Sequence, residues 1–257
     1  MKKNFIQIKY KISFDTPFHL GTGLPNGLID RGIARDANGH LYVPGSTIKG
    51  VLRERCEQLA KLLKLDDINS PHDEKAAWNS FNEISIVERI FGNRFYPGEI
   101  YFENATMSDE WKSFFKDDCK NNQGKNYKEF HKNSSARLQT ETRTQTSVSR
   151  ILGAIRQKAL YQSEFGIRNL TFEGNIYGHL TGVPLAFGEG LYSMLLLIMA
   201  LQSCCRLGAN SSTGMGKYSI EITSLKIDSE DKSVETLFDE FEDDLEYYEL
   251  AKEEELA

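Results

Sequence analysis

The chain has 257 residues, a formal net charge of −6, and ordinary hydrophobic (40%) and charged (26%) fractions, which describes a globular polypeptide able to bury a sizeable core. Its most apolar run, Leu191 to Leu201, is too short to span a bilayer, and no signal or transit sequence is visible after Met1. The cysteines Cys56, Cys119, Cys204 and Cys205 lack zinc spacing, so the expectation is a cytoplasmic protein with reduced thiols and no membrane partner.

The net charge conceals a division. Residues 228–257 hold 14 acidic and 2 basic residues, whereas the other 227 hold 29 basic and 23 acidic ones. A mildly basic body suits a polyanionic partner.

In chain order, Phe5–Phe14 alternates apolar and polar residues and predicts a strand, ended by Asp15-Thr16-Pro17. Residues 18–53 follow as a glycine-broken loop, two aspartates (Asp30 and Asp36), and Pro44-Gly45-Ser46 at the start of a helix. Ser46 is the candidate N-cap, and Ile48, Leu52, Cys56, Leu59 and Leu63 form an apolar stripe. Lys49 and Arg53 share another face. Free backbone N–H groups, the positive end of the helix dipole and two cations make a phosphate site; the plainer alternative is a helix with solvated basic residues. Asp36 is read as satisfying the backbone of the Ala37-Asn38-Gly39 turn.

Lys64–Asn82 is polar and predicts a loop with a short helix, and Ile100–Ala105 predicts a strand. Residues 108–147 interleave basic residues with aromatics, including Trp111, Phe114, Phe115, Tyr127 and Phe130, a mixture that suits single-stranded RNA or a solvated insertion. Arg137–Val148 is threonine-rich, alternates strictly, and predicts an exposed hairpin. Phe172–Thr181 predicts a strand, and Gly188-Glu189-Gly190 the opening of a buried helix through Leu207. The glycine-rich loop Leu207–Lys217 precedes an alternating strand, Tyr218–Ile222. Its composition allows either a phosphate-binding loop or a plain turn, and it is not a P-loop. The tail from Ser233 is helix-compatible, with Leu237, Phe241, Leu245 and Tyr248 near helical spacing. This order gives an α+β, ferredoxin-like (RRM-like) domain over residues 1–227, with an insertion at about 64–147 that takes in the exposed hairpin, followed by an acidic tail over 228–257.

Gly21-Thr22-Gly23, Ile29-Asp30, Arg35-Asp36 and Pro44-Gly45-Ser46-Thr47-Ile48-Lys49-Gly50-Val51-Leu52-Arg53 together resemble the N-terminal signature of the RAMP superfamily of CRISPR-associated RNA-binding proteins. They are most similar to backbone subunits of type III effector complexes. A second resemblance runs from Arg150 to Phe172, and the Gly208–Gly216 loop is similar to the C-terminal loop that defines the superfamily. Two positions depart from the family pattern: Asn104 stands where an aspartate is common, and Ser149 replaces the aspartate before Arg150. Asn104 is read as structural.

The resemblance implies guide (CRISPR) RNA, complementary target RNA and other effector subunits, including related RAMP proteins, as partners. It implies an endoribonuclease centred on Asp30, with Mg²⁺ or another divalent cation. RNA contacts implied in the same way are His19, Arg35, Ser46, Lys49, Arg53, Arg143, Arg150, Gly208, Asn210, Ser211, Ser212, Gly214, Gly216 and Lys217. The alternatives are a non-catalytic architectural subunit and a guide-processing nuclease relying on histidine, with His19 as its test.

Overall fold

Strand β1, Lys3–Phe14, lies at the centre of the main sheet. Its even-numbered residues Ile6, Ile8, Tyr10, Ile12 and Phe14 are at most 1% exposed, while the odd-numbered ones face outward. The computed structural model describes residues 3–24, 29–62, 85–121, 138–181, 183–185, 188–190 and 192–239. The predicted Lys64–Asn82 loop, most of the basic stretch from Asn122 to Arg137, and the tail beyond Asp239 lie outside these residues.

β1 pairs antiparallel with β10 (Tyr218–Ile227) on one side and β7 (Thr171–Thr181) on the other. Beyond β7 come β3 (Ile100–Phe102) and β4 (Ala105–Met107), then β2 (Tyr42–Val43); β11 (Glu230–Asp231) extends the opposite edge. Helix α1 (Gly45–Leu62) packs beside α4 (Tyr192–Ser203), joined to the sheet core through Ile48, Leu52, Cys56 and Ala60. In α4 every residue from Met194 to Ile198 is at most 1% exposed, so it is buried around its circumference. The sequence β1–α1–β3/β4–β7–α4–β10 is the ferredoxin-like βαββαβ arrangement. Two further helices are α2 (Ile86–Phe91) and α3 (Asp109–Asn121).

Several local expectations change. Ile100–Ala105 is not one strand: it breaks at Glu103-Asn104, where Asn104 Oδ1 accepts the Gly45 amide at 2.8 Å. Asn104 thus satisfies one of the orphan N–H groups that open α1, a structural role. Ser46 is not the N-cap but lies exposed inside the first turn, and the Gly45 amide is met by Asn104 just before β4, the strand paired with β2. Gly188–Gly190 does not open a helix; it is strand β9, paired with β8 (Val183–Leu185). The helix ends at Ser203, since the Leu207 amide turns to the carbonyl of Gly216 at 2.9 Å.

Thr140–Val148 is one strand, β5, and its partner is β6 (Ile155–Gly166), so the hairpin is longer than its threonine run and turns at residues 149–154. Residues 234–239 are helical, with Leu237 fully buried in the core of the body.

Candidate nucleic-acid interface

The loop after β1 is held against strand β6 by backbone bonds rather than by its own composition. Asp30 and Arg31 amides donate to the Gln162 carbonyl at 3.0 and 3.2 Å, and the Glu164 amide donates to the Arg31 carbonyl at 3.0 Å. Asp30 Oδ2 accepts the Gln162 amide at 2.8 Å. The residue is exposed, and Oδ1 carries no hydrogen bond among the described residues. One carboxylate oxygen is therefore anchored, and the other is without a partner among the described residues. Beside it the Arg31 guanidinium stacks 4.6 Å from the centre of the Tyr161 ring.

Glu164 is the joint of this arrangement. Its carboxylate accepts from the Ile33 amide at 3.2 Å, from Thr140 Oγ1 at 2.8 Å and from the Arg35 guanidinium. The pair is largely buried, with side chains 8% and 18% exposed. Arg35 also donates to the Gly39 carbonyl at 3.2 Å, so the structure places it inside the protein frame. His19 is buried too: Nδ1 donates to the Glu164 carbonyl at 2.6 Å. Arg143 is held by Glu141 and lies over the Phe165 ring at 5.4 Å. Asp36 Oδ1 accepts the amides of Asn38 and His40, both at 2.9 Å, as its turn requires.

On α1, Lys49 and Arg53 differ. Arg53 donates to Glu57 at 2.9 Å and to the Gly92 carbonyl at 2.7 Å. Lys49 has no ion-pair partner among the described residues. Burial and then the neighbouring Arg53 charge hold its ammonium below the usual lysine pKa.

In the Leu207–Lys217 loop, Gly208 and Gly216 face the protein, not an open surface. A Cβ on Gly208 would stand 2.4 Å from the His19 carbonyl oxygen, and one on Gly216 would lie still closer to the Leu207 carbonyl. Gly214, at φ +93°, has nothing near it. Arg206, which sequence reasoning passed over, donates to the carbonyls of Ser211 and Met215 at 3.2 and 3.5 Å and ties the loop together from its exposed side. Asn210, in the left-handed region at φ 62°, starts a 3-10 turn, Ser211–Thr213. Ser212 and Gly214 are exposed there, and Lys217 is loosely paired with Asp15 at 3.4 Å. The Ala209 amide donates to the His19 carbonyl at 3.0 Å, so this loop backs directly onto the signature loop.

The hairpin projects from this junction. At its turn the Ser149 amide donates to Ala154 O at 2.9 Å, and Arg150 is exposed with Ile151 (94% exposed) and Leu152 (79%). Neither apolar residue was singled out from sequence as a contact, although two adjacent aliphatics in a turn are a signal. Among the described residues no three carboxylate, imidazole or thiol groups gather into a metal site. None of the described helices is long and apolar enough to cross a membrane.

The RAMP superfamily model matches residues 11–245. The chain belongs to the RAMP superfamily. Solved structures agree in fold with this RAMP chain. A chain of a Type III-B Cmr-beta complex bound to cognate target RNA shares 12% identity with a TM-score of 0.52, covering 84% of this chain and 96% of that one. A chain of the same complex in its apo state also shares 12% identity, with a TM-score of 0.54 and coverage of 84% and 97%. No curated protein matches the sequence.

Proposed function

We propose that this RAMP protein is a backbone subunit of a type III CRISPR ribonucleoprotein that binds guide RNA and cuts complementary target RNA at Asp30. The observation that carries the reading is the half-anchored Asp30 carboxylate at the base of an exposed hairpin. Membership of the superfamily and the likeness in fold to Type III-B Cmr-beta chains, one of them solved with target RNA, support it.

The groups left open for RNA are Lys49, Ser46, Arg150, Lys217 and the tip of the glycine-rich loop at Asn210, Ser211, Ser212 and Gly214. They reach phosphate and sugar, so binding is sequence-tolerant and salt-dependent. His19, Arg35, Arg53, Arg143, Gly208 and Gly216 serve this surface by positioning it. At the far end of the hairpin, the exposed Ile151 and Leu152 would act as an apolar wedge between bases of a guide–target duplex and kink the target strand there.

In the cut itself, Asp30 Oδ1 orients the 2′-hydroxyl of the target and accepts its proton. The resulting alkoxide oxygen bonds to the adjacent phosphorus as the bond to the 5′-oxygen breaks, and the departing 5′-oxygen takes a proton from water, leaving a 2′,3′-cyclic phosphate and a 5′-hydroxyl. One carboxylate falls short of the ligand count of a hard cation, so the chain's own contribution is the carboxylate. Dependence on Mg²⁺ is read by chelation in the same assay.

The test is target-RNA cleavage by the assembled complex, wild type against Asp30→Ala at matched guide loading. The expected result is a loss of about 10²–10⁴-fold with target binding intact. Unchanged cutting would leave an architectural subunit. A histidine-based processing enzyme is disfavoured by the buried, hydrogen-bonded His19 ring.

A further inference from the structure

The loop Gly92–Gly98, to which no RNA contact is assigned above, is braced more firmly than a surface turn requires. Asn93 Oδ1 accepts the amides of Phe95 and Tyr96, both at 2.8 Å, while its Nδ2 donates to Glu88 Oε1 at 3.0 Å. The Asn93 amide donates to Tyr96 O at 2.9 Å. Gly92, at φ +79°, lies so near Gly98 that a Cβ would come within 2.4 Å of its nitrogen. From α1, Arg53 donates to Gly92 O at 2.7 Å.

This frame holds two solvent-facing side chains. Phe95 is 48% exposed, and the Arg94 guanidinium stands 5.8 Å from the centre of its ring. No carboxylate pairs with Arg94 among the described residues. A single exposed phenylalanine is ordinary. A rigid loop that presents an unpaired arginine beside an aromatic face has the parts of a single-strand contact, because every base has a π-face and every linkage a phosphate. Its position points the same way: Arg53 ties the loop to α1 one turn beyond Lys49.

We propose that Arg94 and Phe95 form a further contact for single-stranded RNA, with a base stacked on Phe95 and the adjoining phosphate on Arg94, continuing the track that Lys49 begins. The proposal rests on the RNA-binding reading above. Here the occupant is RNA, since the loop offers one ring and unpaired positive charge instead of an apolar patch for a protein.

The full-length chain is titrated with labelled oligouridine at several salt concentrations, comparing wild type with Phe95→Ala, Phe95→Trp, Arg94→Ala and Lys49→Ala. Phe95→Ala is expected to weaken binding about fivefold or more while Phe95→Trp preserves it. Arg94→Ala should flatten the dependence of log K on log salt by about one. Thermal midpoints stay unchanged, because both side chains are exposed. If Lys49→Ala weakens binding and neither loop variant does, the loop contact is overturned and the RNA-binding reading stands. If no variant alters affinity, that reading falls and takes this one with it. A Phe95→Ala chain that binds RNA normally but fails to enter the assembled complex makes the loop a protein contact, which also overturns the proposal.

Discussion

At the residue scale, Lys49 carries the most specific expectation. Burial, with Arg53 adding to it, lowers its pKa from the usual value of 10.5, and a bound phosphate would raise it again. Binding therefore takes up a proton wherever free Lys49 is partly neutral. RNA affinity should be flat at low pH and fall as pH rises through the lowered pKa, below the ordinary lysine range. Lys49→Arg, always charged, should abolish that fall while retaining affinity; an unchanged pH profile in this variant would remove Lys49 from the interface. The free protein moves the other way. Between the lowered pKa and 10.5 the unfolded chain holds the extra proton, so this group's contribution to stability rises with pH.

At the element scale, the glycine-rich loop separates two kinds of glycine that look alike in sequence. Gly216→Ala meets the Leu207 backbone at φ +68° and should cost well over 2 kcal/mol in denaturant unfolding. Gly214→Ala, at φ +93° with open space around it, should cost only about 1–2 kcal/mol. Equal losses would mean that the loop does not lean on Leu207.

That distinction marks where sequence reading stops. Periodicity exposed β1, α1 and β10, because alternation and the 3.6-residue stripe are local properties of the chain. The Asp36 turn was legible for the same reason: its partners, Asn38 and His40, are close in sequence. The cap of α1 was not, because Asn104 comes from 59 residues away. Nor was the burial of His19 and Arg35, whose partner Glu164 lies 145 and 129 residues along the chain. The α4 boundary was missed because Gly188–Gly190 pairs with β8, a contact that composition does not announce.

At the scale of the whole molecule, the loop after β1 and the projecting hairpin are coupled through Glu164, and the two ends of the hairpin answer to different physics. At its base, Glu164→Gln removes the charge facing Arg35 in a largely buried pair. The loss should be about 2 kcal/mol or more, seen as a lower thermal midpoint. Target cleavage should fall with it, because Asp30 is strapped to Gln162, two residues away on the same strand. At the tip, Ile151 and Leu152 are so exposed that replacing both with Asp should leave stability within about 0.5 kcal/mol. Each nonetheless loses the apolar surface that a wedge needs and gains a charge that a phosphate-lined groove repels. The paired tip variant should keep guide RNA in the assembled complex and lose target cleavage at an unchanged thermal midpoint. Full cutting by it would show that the hairpin acts only as the wall on which Asp30 is mounted.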